Sequence, residues 1–168
     1  MKKTGLIVLA LVSSISAFSQ GKDVVDIAIG SADHTTLVTA VKAADLVATL
    51  KSEGPFTVFA PTNDAFNKLP EGTVANLLKP ENKAQLSKIL TYHVVSGNLD
   101  ATAVLDAIKK GNGKVVLTTV SGGMLTASLD MGKVKLTDES GNSAYVTVAD
   151  LKGTNGVIHV IDTVVLPK

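Results

Sequence analysis

The sequence predicts an α+β fold, an antiparallel β-sheet or sandwich with amphipathic helices packed on a β core. Three observations carry that reading. Apolar residues recur at helical spacing from Thr35 to Lys110, and two-residue alternation takes over after Lys114. One apolar strand, Phe56 to Ala60, sits among the helices and has to join the sheet from far away in sequence. The 168 residues fit one domain better than two. A chain of about 150 residues can bury roughly 70% of its unfolded surface, enough for a core without staples.

The N-terminus reads as an address. Lys2 and Lys3 precede an apolar stretch, Leu6 to Val12, which passes into serines and then Ala17-Phe18-Ser19. A charged start, a short apolar middle and a small-x-small end are the parts of a secretory signal. The stretch is too short for a membrane helix, which needs about 20 apolar residues. Cleavage after Ser19 is expected, leaving a single domain over 20–168 with no transmembrane segment, exported to the periplasm, cell surface or medium.

Within that domain a helix is expected from Thr35 to Leu50, where Leu37, Val41, Ala44 and Ala48 share a face. Gly54-Pro55 opens the Phe56–Ala60 strand, and Pro61 ends it because proline has no ladder N–H. Thr62 is placed to cap a helix starting at Asn63, with Asp64 favourable in its first turn. Thr73 to Leu78 reads as a short helix stopped before Pro80. Ala84, Leu86, Ile89 and Leu90 form the next stripe, running to Tyr92-His93. Ala101 to Lys110 repeats the period through Val104, Leu105 and Ile108, and Gly111-Asn112-Gly113 terminates it.

The strands follow. Val116/Thr118/Val120, Leu125/Ala127/Leu129 and Val134/Leu136 alternate, divided by Gly122-Gly123 and Met131-Gly132. Ala144 to Val148 and Val157 to Leu166 continue the pattern, with Asn155-Gly156 suited to a tight turn of positive φ. His159 and Asp162 differ in parity, so one regular strand sends them to opposite faces and they cannot form a catalytic pair.

Composition removes most chemistries. The net charge is +1, and all 16 basic residues are Lys. Nothing therefore calls for nucleic acid, and the bidentate guanidinium reader of phosphate and guanine is missing. Without Cys there is no thiolate metal site, disulfide or Cys nucleophile. No Gly-x-Ser-x-Gly elbow or His-Glu-x-x-His occurs, and His34, His93 and His159 are far apart in sequence. Gly111-Asn112-Gly113-Lys114 lacks the length of a phosphate loop, and Asp138-Glu139 lacks the ligand count of a calcium loop. No enzyme, cofactor or metal is expected.

Two segments exceed what periodicity requires. Gly54-Pro55-Phe56-Thr57-Val58-Phe59-Ala60-Pro61-Thr62-Asn63-Asp64-Ala65-Phe66 gathers the three Phe that follow the signal. It reads as a strand-to-helix corner whose rings anchor the core, or as a stacking platform for a ligand. The second runs from Gly153-Thr154-Asn155-Gly156 through Val157-Ile158-His159-Val160-Ile161-Asp162 to Pro167. Together they resemble the two signature boxes of the fasciclin domain family. Leu90-Thr91-Tyr92-His93-Val94-Val95-Ser96-Gly97, between them, resembles that family's Tyr-His segment. The resemblance spans about Asp23 to Leu166 and implies a wedge-shaped antiparallel β-sandwich with helices on one side.

It further implies an adhesion or extracellular-matrix module that binds an extracellular or cell-surface protein or glycan. In animal members cell binding is attributed to the Tyr-His segment and to an Asp-Ile pair before the second box. The matching positions here are Tyr92, His93, Asp150 and Leu151, with Leu in place of Ile. Each also has a structural reading: His93 satisfying helix-terminal carbonyls, Tyr92 filling core, Asp150 bonding turn N–H groups. His159, inside an apolar strand, reads as a satisfied core histidine. The alternative function is carriage of an apolar small molecule, a carotenoid or lipid, in a groove between helices and sheet.

Overall fold

The computed structural model describes residues 21–168, so the expected signal segment at 1–19 lies outside the described residues. Its helices form where the apolar stripes place them, with two departures. The first is α1, Val24–Ile29, which the stripes did not announce. Asp23 caps it by accepting from the Asp26 N–H, and Asp26 returns a bond to the Asp23 N–H. Lys51 then bridges both carboxylates at 2.9 and 2.6 Å. Burial opposes ionisation of Asp23, but the Lys51 ammonium and the Asp26 N–H outweigh it and hold the carboxyl below its ordinary value.

The second departure splits the helix expected over Thr35–Leu50 into α2, Thr35–Ala43, and α3, Val47–Lys51. Asp45 takes φ 60 between them. Its N–H reaches the Lys42 carbonyl while the Leu46 N–H reaches that of Val41, the Schellman pattern of a helix end. Aspartate tolerates the left-handed region better than most residues, so no glycine announces the break. The start of α2 is capped from elsewhere in the chain. Asn63 accepts from the Thr36 N–H and Thr35 hydroxyl and donates to the Ala32 carbonyl.

The remaining helices are α4 (Asn63–Asn67), α5 (Thr73–Leu77), α6 (Lys83–Tyr92) and α7 (Ala101–Lys110). Thr62 caps α4 through the Ala65 N–H as expected. The strands are β1 (Phe56–Pro61), β2 (Val94–Ser96), β3 (Lys114–Thr118), β4 (Met124–Asp130), β5 (Lys133–Thr137), β6 (Ser143–Gly153) and β7 (Gly156–Ile161). They form one seven-stranded sheet in the order β2-β1-β7-β6-β5-β4-β3. All pairings are antiparallel except β1 with β7, which run side by side in the same direction from Phe56↔Gly156 to Pro61↔Ile161. The sheet curls until its ends touch: Val95 bridges Thr119, and the Val120 N–H donates to the Val94 carbonyl at 2.7 Å. The α+β class stands, with a nearly closed sheet, most helices against one side and α7 against the interior face.

Parity along β1 explains the two cores. Val58 and Ala60 face the helices with Val24, Leu37, Val41, Leu86 and Ile158, whereas Phe59 faces the sheet interior with Tyr92, Ile108, Leu125, Leu136 and Ile161. A strand buried on both faces reads as the continuous apolar run seen here. Each fully buried Leu or Ile side chain contributes about 2 kcal/mol.

Candidate functional site

Tyr92 and His93, the first pair singled out by sequence, close α6. Tyr92 is 0% and His93 2% exposed. The helix packs its apolar stripe on the sheet, so its last residues are carried inward rather than toward solvent. The Tyr92 hydroxyl donates to the Met124 carbonyl at 2.6 Å and accepts from the Glu139 N–H at 3.3 Å, joining α6 to β4 and the β5–β6 turn. Gly123 lies against the ring, where an added Cβ would come within 2.7 Å of a ring carbon.

His93 donates from Nδ1 to the Ile89 carbonyl at 2.8 Å and accepts at Nε2 from the buried Val165 N–H at 3.2 Å. This set requires the neutral imidazole, since His⁺ has no acceptor for Val165. Burial pushes its pKa down to about 4, against the opposing pull of the Ile89 carbonyl and Asp138. Direct contact with a partner is therefore closed to both side chains in this conformation. They clamp the helical layer to the sheet and to the C-terminal segment.

Asp150 and Leu151 sit in the middle of β6, where its pairing with β7 slips between Val148 and Leu151. Asp150 occupies the slip at φ 61 and is exposed. Its carboxylate accepts from the Ala101 N–H at 2.8 Å, while Asp100 accepts from the Ala103 N–H at 2.8 Å. Two carboxylates thus meet the positive end of α7. Leu151 is half-buried against the helix-side core, and Val148, two residues before Asp150, is 48% exposed. The structure therefore separates the two sequence-derived pairs into an internal clamp and an exposed bulge.

His159 is buried and stacked on Phe59 with ring centroids 5.6 Å apart. Its Nε2 donates to the Leu99 carbonyl at 2.6 Å, leaving Nδ1 to face the Asp150 N–H at 3.4 Å. Asp162 bonds instead to the Tyr145 N–H, so the two residues do not meet. Asp138 spends both oxygens on Ser140, Asn142 and Leu166, as turn chemistry predicts. Among the described residues no group of three or more His, Asp or Glu is placed to hold a metal, and no helix is long and apolar enough to cross a membrane.

Sequence reasoning missed Asn155 as a clasp. Its Oδ1 accepts from the Val24 N–H, and its Nδ2 donates to the Leu50 and Ser52 carbonyls at 2.7 and 3.0 Å. One amide thus ties the start of α1 and the end of α3 to the β6–β7 turn. The turn itself departs from the expected positive φ: neither Asn155 nor Gly156 is left-handed. Gly156 is needed for close approach instead, because a Cβ there would stand 2.1 Å from the Phe56 carbonyl oxygen. The two signature boxes meet backbone to backbone at this point.

Between helices and sheet, where the carrier alternative puts a ligand, there is an apolar crevice lined by α1, α2, β1 and His93 with a volume of ≈ 40 Å³. Sites for drug-sized ligands are usually about 300–1,000 Å³. A polyene or lipid would need α1 and α2 to part.

The sheet topology and the meeting of the two boxes define a FAS1-type domain. Residues 32–167 match the fasciclin domain family, and the chain belongs to it. It is 51% identical to Protein sll1483 of Synechocystis sp. over 93% of this chain and 79% of that protein. It is 38% identical to the transforming growth factor-beta-induced protein ig-h3 of Sus scrofa over 86% of this chain but 19% of that protein. Its fold is similar to a solved FAS1 domain pair from the insect cell adhesion molecule Fasciclin I, with a TM-score of 0.76 at 18% identity, covering 86% of this chain and 51% of that one.

Proposed function

We propose that the chain is an exported, non-catalytic adhesion or extracellular-matrix module that binds a protein or glycan partner. Membership of the fasciclin family carries this reading, supported by the signal-like N-terminus and by the fold shared with a cell adhesion molecule. Asp150 is the one exposed member of the sequence-derived set, with one carboxylate oxygen engaged by the Ala101 N–H, and Leu151 is half-buried. Tyr92 and His93 act beneath the surface by holding it in shape. A single weakly binding domain gains avidity when many copies are arrayed, as on a cell surface.

The test is a solid-phase assay with densely immobilised protein, using cells and purified extracellular polymer from the native culture. Saturable retention supports the reading, and none at any surface density defeats it. Asp150→Asn keeps the αL-tolerant shape and an acceptor while removing the charge, so weakened binding by this variant locates the contact at the bulge.

A further inference from the structure

A cleft of ≈ 590 Å³ opens between the α3–β1 connection, Asn98 and the β6–β7 turn. It begins one residue beyond Leu151. We propose that this cleft is a binding site for a neutral, hydroxyl-rich saccharide, a reading that deepens the adhesion proposal by naming a site and ligand class.

Three features point there. The first is rigidity, since one wall is clasped by the three bonds of Asn155 and sealed by backbone contact at Gly54 and Gly156, where no Cβ fits. A ligand then finds the cleft preformed and pays little ordering cost. The second is free hydrogen-bonding capacity. The side chains of Asn98, Lys152, Thr154 and Glu53 line the cleft and bond to nothing else among the described residues. Amide, hydroxyl, ammonium and carboxylate together offer both donors and acceptors, which is what a chain of sugar hydroxyls needs.

The third is charge. Lys51 is engaged by Asp23 and Asp26, leaving Lys152 and Glu53 as one charge of each sign. Such a cleft has no net field to favour an ionic ligand. It also lacks the buried aromatic or apolar anchor on which protein partners concentrate their binding energy. Hydrogen bonds made in open solvent are individually weak, so affinity in the millimolar range is expected, raised by repeated sugar units along a polymer.

The test is an amide NMR titration of the exported chain with cellotriose, maltotriose and mannotriose, alongside trigalacturonate and a neutral peptide. At least one neutral trisaccharide should shift Gly54, Asn98, Gly153, Thr154 and Gly156 together and saturably. Asn98→Ala and Thr154→Val should each weaken binding by about threefold or more. Both positions are exposed and unbonded, so the folded spectrum is retained. Unmoved cleft amides with all three neutral sugars, equal or tighter binding of the uronate or peptide, or unchanged affinity in both variants overturns the proposal. The two proposals fail separately. Matrix retention without cleft shifts removes the saccharide site alone, and cleft shifts without retention remove adhesion alone.

Discussion

Acidification should weaken the folded chain through His93. In the unfolded chain this imidazole takes its proton near 6.5, and in the folded one only at about 4. Between those values the unfolded state binds more protons, so stability is full above about pH 6.5 and falls as pH drops toward 4. At about 1.36 kcal/mol per pH unit of separation, the loss reaches about 3 kcal/mol. That is a large share of a typical domain's 5–15 kcal/mol. His34, whose pKa burial also lowers, adds to the loss with the same sign. The assay is urea unfolding at closely spaced pH values for the native chain and for His93→Asn. Asparagine can still offer an N–H toward the Ile89 carbonyl but has no titration. The native chain should lose stability on acidification more steeply than the variant, by about 3 kcal/mol over the window. Identical pH dependence in the two proteins would refute the reasoning. So would an imidazole signal of His93 titrating near 6.5 in the folded state, a measurement that does not depend on the variant folding.

Other outcomes follow from the same contacts. Asn155→Ala removes three hydrogen bonds and leaves the buried Val24 N–H without its side-chain acceptor, so chemical denaturation should show a loss of roughly 3 kcal/mol. Tyr92→Phe keeps the ring but deletes the bonds to Met124 and Glu139. It should cost about 1–2 kcal/mol by the same measurement and leave partner binding intact. Met131 occupies φ 51 beside Gly132 at φ 77 in the β4–β5 hairpin and is 95% exposed. Met131→Asn suits such a turn and should raise stability by about 0.5–1 kcal/mol, visible as a higher thermal midpoint.

Local pattern was sufficient where a residue's role depended on near neighbours. The α7 stripe, its glycine stop and the Thr62 cap could all be read from adjacent positions. What escaped was set across the chain. The parallel pairing of β1 with β7 joins segments about a hundred residues apart, and no alternation distinguishes a parallel from an antiparallel neighbour. Asp45 ended a helix without the glycine that marks most such ends, so the stripe ran on through the break. The six residues of α1 are too few for a periodic stripe to show, and its Asp23–Asp26 capping box went unread in the sequence.

The candidate site was legible as sequence and illegible as surface. Tyr92 and His93 stand out in the chain through their likeness to the family's Tyr-His segment, and several distant backbone groups depend on them. Only their burial separates the two roles. Asn155 looked like turn chemistry alone, since its partners Val24 and Leu50 are brought to it by the tertiary fold.

Adhesion itself is tested most directly by saturable retention of the densely immobilised chain on extracellular polymer from its own culture, measured for native protein, Tyr92→Phe and Asp150→Asn in parallel. The native protein should be retained, Tyr92→Phe retained equally, and Asp150→Asn retained more weakly. No retention of the native protein, or its selective loss in a folded Tyr92→Phe variant, would contradict it.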